Sequence, residues 1–328
     1  MALTVAPVRA AIAAFSLCLA LVFATPAAFA EPVRKVQVAS FNIQFLGQFK
    51  KRKDAALADL LAPYDIVIVQ ELVAPPYAGL FPDATSYAPD VEAARFFEAM
   101  RVRGFDYFLS EEDTGSGSQR HVNSSATEWF VVFYRREVAR LALDLPGGFL
   151  GADRYDHPDF ERVPYAFGMR VGSEDLVFIS VHLQPGGGTA ERARRAQELA
   201  AIYGWIGSQP GPERDYVIVG DMNIEDCAEL AGVMPAGFVS LNSGCLPTNT
   251  NPRGPKPYDQ VMFSTADTAA ELGTKFVVVD LVAAMRSSWI ATDGAYPGDP
   301  YIHDAFRQAY SDHNPVGFEI IVDGLDDD

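Results

Sequence analysis

The chain has 328 residues and a formal net charge of −17 at pH 7, with 26 basic and 43 acidic side chains. Tight, sequence-independent binding to a long polyanion normally uses a basic face, so this composition argues against a protein that only coats nucleic acid. The charge does not exclude an enzyme that meets a phosphate ester through a divalent cation, because a bound metal reverses the local electric field.

Residues 1–30 have the pattern of a secretory signal peptide. Arg9 supplies the positive charge, residues 10–23 are apolar, and Ala28-Phe29-Ala30 has the small-x-small form of a cleavage site. We therefore expect a secreted or periplasmic protein whose mature part, 31–328, is a single domain. The alternative is a retained N-terminal anchor, for which the apolar run is short.

Apolar periodicity and turn residues predict strands and helices that alternate early, with strands dominating later. The predicted strands are 36–43, 65–71, 128–135, 165–171, 176–182, 216–220, 258–263, 275–281 and 317–322. The predicted helices are 54–61, 91–103 and 189–205, and the predicted loops or irregular segments are 110–125, 144–164, 249–257 and 286–309. This order fits an α/β fold, a four-layered sandwich in which two mixed β-sheets pack face to face and helices flank them.

Two local features of the chain carry further expectations. In the helix at 189–205, Thr189 is the expected N-cap, and Glu191 and Arg195 have the spacing of a surface ion pair. Cys227 and Cys245 are the two cysteines of the expected mature chain, and an even pair in an oxidising compartment favours a disulfide. The alternative is two buried free thiols.

Polar side chains recur where the predicted apolar strands begin or end. This set consists of Asn42, Glu71, Glu128, His182, Asp221, Asn223, Asp259, Asp312 and His313. Carboxylates and amides suit Mg²⁺, Mn²⁺ or Ca²⁺ better than Zn²⁺, and two histidines beside spare carboxylates suit acid–base catalysis. Together they indicate hydrolysis of a phosphate ester. Each residue alone is typical of an ordinary strand end or turn.

Six short runs resemble, in order, the motifs of the endonuclease/exonuclease/phosphatase superfamily. They are Ser40-Phe41-Asn42, Val69-Gln70-Glu71, Ser180-Val181-His182, Gly220-Asp221-Met222-Asn223, Tyr258-Asp259-Gln260-Val261 and Ser311-Asp312-His313-Asn314-Pro315-Val316. The resemblance covers residues 36–322 and is greatest to the deoxyribonuclease I branch. Glu128 before a β-prone run is similar to that branch, and Arg162-Val163-Pro164 is similar to its Arg-Glu-Pro except in the middle residue.

The resemblance implies a role for each residue. The implied ligands of a divalent cation are Asn42, Glu71 and Asp312, and Asp221 and Asn223 would position the scissile phosphate and the water. The implied acid–base pair is His182, oriented by Glu128, and His313, oriented by Asp259. Arg162 would contact a phosphate of the substrate. The cation would be Mg²⁺, or Mn²⁺ or Ca²⁺.

We expect, on this basis, an exported phosphodiesterase that cuts DNA, or RNA as well, without strong sequence preference. Three alternatives are a sphingomyelinase-like phospholipid phosphodiesterase, a small-phosphoester phosphatase and a non-enzymatic binding module. The lipid alternative requires an exposed apolar element, for which the segment around Trp289 and Tyr296 is the candidate. We expect a monomer with no obligate protein partner.

Overall fold

Strands form where β-branched and aromatic residues run together, because such side chains pack well on a pleated, buried surface. The computed structural model describes residues 34–122, 127–151, 158–289 and 303–324. The expected signal peptide lies outside the described residues. The chain divides after Glu31, and Pro32–Asp328 forms one compact unit.

Strands occur throughout the described part of the chain. They are β1 Arg34–Leu46, β2 Ile66–Leu72, β3 Gly79–Leu80, β4 Ser86–Tyr87, β5 Asp106–Leu109, β6 Trp129–Tyr134, β7 Ala139–Leu141, β8 Gly148–Phe149, β9 Tyr165–Val171, β10 Glu174–His182, β11 Tyr216–Asp221, β12 Phe238–Ser240, β13 Asp259–Ser264, β14 Val277–Val278 and β15 Val316–Val322. The α-helices are α1 Asp54–Leu61, α2 Val91–Val102, α3 Thr189–Ser208, α4 Cys227–Val233, α5 Leu281–Ala284 and α6 His303–Ala309, with 3₁₀ turns at Gly117–Gln119 and Met285–Ser288.

Two mixed sheets form the centre of the fold. The first has the strand order β14-β15-β1-β2-β6-β5, and the second has the order β12-β13-β11-β10-β9-β7, with β8 also paired to β9. In each sheet the two central strands are parallel, β1 with β2 and β10 with β11, and their other neighbours are antiparallel. The parallel strands of each pair therefore end at the same edge of their sheet.

Three apolar layers hold the sheets and helices together. Between the sheets, Ile68 and Phe130 of the first pack in one cluster with Phe178 and Val219 of the second. A second cluster lies under α1, α2 and α6, and a third under α3 and α4. Complete burial of side chains of this size stabilises the fold by about 1.5–3 kcal/mol each. The predicted four-layered α/β sandwich is confirmed.

Three segments differ from their predicted secondary structure. The strand predicted at 275–281 is reduced to Val277–Val278, because the Asp280 side chain accepts a hydrogen bond from the Ala283 N–H (2.9 Å) and begins a helix. The irregular segment predicted at 286–309 contains α6, and its residues 290–302 lie outside the described part. The loop predicted at 144–164 contains β8.

A disulfide joins Cys227, the first residue of α4, to Cys245, with a Cα–Cα distance of 5.7 Å. It closes the segment that follows β11 and includes β12. The predicted disulfide is therefore present in the structure. Within the described residues, no helix combines the length and the apolar character that crossing a bilayer requires.

Candidate active site

The strand register of the second sheet brings three of the predicted site residues into one row. His182 on β10 pairs with Asp221 on β11, and Asp221 pairs with Asp259 on β13. All three side chains are buried. The row lies at the edge where the parallel strands β10 and β11 end, as the sequence predicts.

Asn42 connects this row to the first sheet. Its Nδ2 donates hydrogen bonds to Glu71 Oε1 and to Asp221 Oδ2, each at 2.9 Å. Its Oδ1 accepts the N–H of Gln44 at 3.0 Å. The amide therefore holds one carboxylate from each sheet close to the other, and its own carbonyl oxygen is already engaged.

Two of these residues lie in a backbone conformation that non-glycine residues rarely adopt. Glu71 has a φ of 63° and Asn223 a φ of 51°. Such strain persists only where the surroundings fix it, and it concentrates at functional sites. Glu71 lies within the register shift between β2 and β6, and the Asn223 N–H is held by Asp221 Oδ1 at 2.9 Å.

Gly220, directly before Asp221, is required by the packing of β11 against β10. Its φ is 138°, and a Cβ at this position would lie 2.3 Å from the carbonyl oxygen of Val181. A side chain would therefore push apart the two strands that align His182 with Asp221.

His182 lies between Glu128 on one side and Asp221 and Glu71 on the other. Its Nδ1 lies 2.9 Å from Glu128 Oε1, and its Nε2 lies 3.6 Å from Asp221 Oδ2 and 3.9 Å from Glu71 Oε1. Burial and the charge of Arg162 lower the pKa of His182, but Glu128 and Asp221 outweigh them, so this pKa is raised. Burial acts to raise the pKa of Glu128, but the charges of His182 and Arg162 outweigh it and lower that pKa.

His313 repeats this arrangement on the other side of Asp221. Its Nδ1 lies 2.9 Å from Asp259 Oδ2, and its Nε2 lies 3.4 Å from Asp221 Oδ2. Burial opposes protonation, but Asp259 and Asp221 raise the pKa of His313 well above its usual value. Burial raises the pKa of Asp259. Two imidazoles, each backed by its own carboxylate, thus face the same oxygen of Asp221.

Asp221 carries its negative charge between the two rings. Burial acts to raise the pKa of Asp221, but the charges of His313 and His182 outweigh it and lower that pKa. The structure therefore brings together both predicted carboxylate–histidine pairs, Glu128 with His182 and Asp259 with His313, around one central carboxylate.

The donor set at this edge suits a hard divalent cation. The ligand atoms of Glu71, His182 and Asp221 lie within 4.8 Å of one another, and so do those of Asp221, Asp259 and His313. Burial, followed by the charge of Asp312 and that of Glu128, raises the pKa of Glu71 although His182 opposes this shift. Closely spaced buried carboxylates are costly without a compensating cation, and their oxygens are the ligands that Mg²⁺ and Mn²⁺ prefer.

The predicted ligands Asn42, Glu71 and Asp312 do not all fit this site equally. Of the two predicted carboxylate ligands, Glu71 belongs to the first ligand group, whereas Asp312 belongs to neither. Asp312 Oδ2 accepts from Gln44 Nε2 at 2.6 Å, and Asp312 Oδ1 is buried with no hydrogen-bond partner among the described residues. Asn42 turns its amide nitrogen, not its oxygen, toward the carboxylates because their acceptor oxygens attract the N–H groups. The proposed ligand role of Asn42 therefore requires its amide to turn.

Arg162 lies beside the pair of Glu128 and His182, where the resemblance implies a phosphate contact. Its Nε lies 3.3 Å from Glu128 Oε1, and its side chain is 9% exposed. Its Nη1 is buried and has no hydrogen-bond partner in the described part of the chain. A buried guanidinium nitrogen without a partner is an available donor for a phosphate oxygen.

Two residues that support the site were not predicted. Arg52 is buried and donates to the carbonyl oxygens of Ile43 (2.5 Å), Gln44 and Tyr310, which joins the end of β1 to the segment before β15. Burial lowers the pKa of Arg52 to about 10. Thr114 Oγ1 accepts the N–H of Glu128 at 3.1 Å. Arg52 reaches Tyr310, 258 residues away, and Thr114 reaches Glu128, 14 residues away, so local pattern gives no signal for these contacts.

The prediction of a surface ion pair between Glu191 and Arg195 on α3 is wrong. Arg195 is fully buried and pairs with Glu229 of α4, with Nη2 and Oε1 2.6 Å apart. Thr189 is the first residue of α3, and Gly188 occupies the N-cap position without a side-chain hydrogen bond. The tertiary partner, 34 residues away in sequence, replaces the local one.

Comparisons with known proteins agree with this architecture. The model of the Endonuclease/Exonuclease/phosphatase family matches residues 39–313. D. rerio TDP2, solved with a single-strand DNA product, is 14% identical, with a TM-score of 0.50 over 87% of this chain and 98% of that chain. A family protein from Bacteroides thetaiotaomicron is 14% identical, with a TM-score of 0.52 over 89% and 99% of the two chains.

A third solved structure, a family protein from Leptotrichia buccalis, is 11% identical, with a TM-score of 0.53 over 87% of this chain and 99% of that chain. A search of the curated proteins finds no match. At these identities the structural likeness shows the fold, and the family match extends over most of the chain. The chain belongs to the endonuclease/exonuclease/phosphatase family.

Proposed function

We propose that this protein is an exported, divalent-metal-dependent phosphodiesterase that cuts nucleic acid, DNA first, without strong sequence preference. Members of the family are phosphodiesterases and nucleases that use divalent metals. The observation that carries the proposal is the symmetric pair of carboxylate-backed histidines around Asp221, beside a buried acidic cluster.

The donor set supports Glu71 and Asp221 as ligands of the cation, with Asp312 as a further candidate. When bound, a divalent cation supplies positive charge to the phosphoryl oxygens of the substrate. Glu71 and Asp221 come from different sheets, and Asn42 fixes their spacing. The chain therefore sets the geometry of the cation site through the packing of its two sheets.

The two histidines transfer the protons of the reaction. In-line hydrolysis needs one group that accepts a proton from the attacking water and another that donates a proton to the leaving oxygen. Glu128 and Asp259 fix the Nδ1 side of His182 and His313, respectively, so each ring presents Nε2 to the site. Arg162 Nη1 stabilises the charge of the phosphoryl oxygens.

Two observations support nucleic acid as the substrate class and export as the location. D. rerio TDP2, a protein of the same fold, was solved with a single-strand DNA product. The disulfide between Cys227 and Cys245 suits an oxidising compartment, in agreement with the signal-like pattern of residues 1–30.

The phospholipid alternative receives less support. Trp289, one of its two candidate lipid contacts, packs against the first outer cluster, with ring centroids 6.3 Å from Phe306 and 6.1 Å from Tyr310. This packing leaves Trp289 only partly buried, so it takes part of the apolar surface of this side chain away from a bilayer. The second candidate, Tyr296, lies outside the described residues.

The proposal is tested by incubating residues 31–328 with supercoiled plasmid in Mg²⁺ plus Ca²⁺, or in EDTA. We expect metal-dependent nicking that is lost in His182→Ala and retained in Asp144→Asn, a control that alters an exposed carboxylate paired with Arg170. Absence of nicking in every metal would contradict the nuclease proposal. Sphingomyelin vesicles and small phosphate monoesters then test the two other hydrolase alternatives.

A further inference from the structure

Helix α3 carries two charged residues that are buried completely, which is unusual for surface helices. Arg195 and Glu198 are both 0% exposed. Burial of a charge is costly unless it is paired and hydrogen-bonded, so the contacts of these two residues show what the burial achieves. We call Arg195 and Glu198 together the α3 clamp.

Arg195 holds the segment that directly follows the strand of His182. Its Nη1 donates to the carbonyl oxygens of Gln184 (2.9 Å) and Gly186 (2.6 Å). Its Nε donates to Glu229 Oε1 at 2.8 Å, and Glu229 Oε2 accepts the N–H of Glu225 at 2.9 Å. One guanidinium thus connects the segment after β10 with the segment after β11.

Glu198 completes the clamp from the same face of α3. Its Oε2 accepts the N–H of Gln184 at 2.9 Å, and its Oε1 accepts the N–H of Glu161 at 2.7 Å. Glu161 directly precedes Arg162 in the sequence. Both carboxylate oxygens are therefore used to hold the backbone beside predicted site residues.

The held segments converge on Asn223. The Asn223 side chain donates from Nδ2 to the carbonyl oxygen of Leu183, at 3.0 Å, directly before the clamped Gln184. On its other side Asn223 is two residues from Glu225, which Glu229 holds. Its left-handed φ of 51° is one that asparagine adopts more readily than most non-glycine residues, and these contacts select it.

We infer that Arg195 and Glu198 are positioning residues that fix Asn223, and with it the segment after His182, in the geometry required for phosphodiester cleavage. Only the kinetic test of this inference rests on the proposed function; the hydrogen-exchange test does not. A displacement of about 1 Å at a reacting centre can cost about 10²-fold in rate, so loss of a positioning contact is measurable without loss of the fold.

Two conservative variants and one control test the inference. Glu198→Gln keeps the shape but offers only one acceptor to two N–H groups, and Arg195→Lys keeps the charge but loses the planar donor fork. Ile202→Val alters a buried residue one turn further along α3 that packs in the third apolar cluster. Each protein is examined by thermal unfolding, by hydrogen exchange and by steady-state cleavage of bis(p-nitrophenyl) phosphate.

We expect both clamp variants to fold, to exchange the backbone N–H groups of Leu183, Gln184 and Gly186 faster than wild type, and to lose at least tenfold in kcat with little change in KM. The control keeps wild-type exchange and kcat. In an Asn223→Ala background, Arg195→Lys should have little further effect, because both changes disturb the same contact.

Unchanged exchange in both variants overturns the inference, as does faster exchange with unchanged kcat. Equal losses from Arg195→Lys with and without Asn223→Ala also overturn it, since they would show two independent effects. If the wild-type protein cleaves no phosphodiester, the proposed function fails, and the exchange experiment alone decides whether the clamp holds these segments.

Discussion

Replacement of Asp259 by asparagine tests the chemistry of the site with the smallest change in shape. Asp259 Oδ2 lies 2.9 Å from His313 Nδ1, and both residues are buried. The substitution removes the negative charge and leaves an amide that is free to face the ring with its NH₂ group. His313 then loses both its charge partner and the group that fixes its tautomer.

The size of the effect follows from this contact. A hydrogen bond to a charged group contributes about 1.5–3 kcal/mol, and a correctly placed acid or base contributes about 10²–10⁴ to the rate. We expect kcat for phosphodiester cleavage to fall by between about tenfold, from the lost hydrogen bond alone, and about 10⁴-fold, for complete loss of His313 as an acid or base. KM should change little, because Asp259 faces His313 and not the expected position of the substrate.

The pH dependence of the cleavage rate is a second, independent test of the same variant. Asp259 is the foremost of the three carboxylates, with Asp221 and Asp312, that raise the pKa of His313, so its neutralisation lowers that pKa. Below its pKa the ring is protonated, and therefore the limb of the pH–rate profile that reports His313 should move to lower pH in Asp259→Asn. Asp144→Asn serves as the matched control, because Asp144 is exposed and pairs with Arg170 at 2.7 Å.

The assay is initial-rate hydrolysis of bis(p-nitrophenyl) phosphate in Mg²⁺ and in Mn²⁺ across the pH range, with thermal unfolding of each variant recorded in parallel. A folded Asp259→Asn protein with a rate within about threefold of wild type and an unmoved pH profile would refute the assignment of His313 as an acid–base group, since such groups contribute far more.

Three further predictions concern the cation, the substrate phosphate and the disulfide. Glu71→Gln should shift the Mg²⁺ activation midpoint to at least tenfold higher concentration, measured by rate titration and calorimetry; an unchanged midpoint would exclude Glu71 as a ligand. Arg162→Lys should lower kcat/KM by about 10- to 150-fold, because a lost charge-assisted contact is worth about 1.5–3 kcal/mol; an unchanged kcat/KM would exclude the phosphate contact. Cys227→Ser with Cys245→Ser should lower stability by about 3 kcal/mol for a loop of this length, measured by urea unfolding in oxidising buffer; coincident unfolding curves of the variant and wild type would contradict it.

The strand-borne part of the site was predictable from the sequence. His182, Asp221 and Asp259 each border a continuous apolar run, and such runs give the clearest pattern in the chain. Because parallel strands end at one edge of a sheet, convergence of these residues follows once the strands are placed. The sequence motifs added the pairing of each histidine with its carboxylate.

The contacts that hold the site were not predictable in the same way. The spacing of Glu191 and Arg195 suggests a local ion pair, but burial of Arg195 depends on Glu229, whose position is set by tertiary packing. The left-handed turn at Glu71 depends on a register shift against β6, which no local pattern encodes. The orientation of the Asn42 amide depends on two carboxylates that belong to different sheets.

We propose that His182 and His313 act as one catalytic unit on either side of Asp221 in metal-dependent phosphodiester hydrolysis. The most direct measurement is the Mg²⁺-dependent rate of His182→Ala, of His313→Ala and of the double variant, beside wild type. Residues that act as a unit are not additive, so we expect each single variant to lose at least about 10²-fold and the double variant to lose little more. Single variants that retain near-wild-type rates, or losses that multiply in the double variant, would contradict the claim.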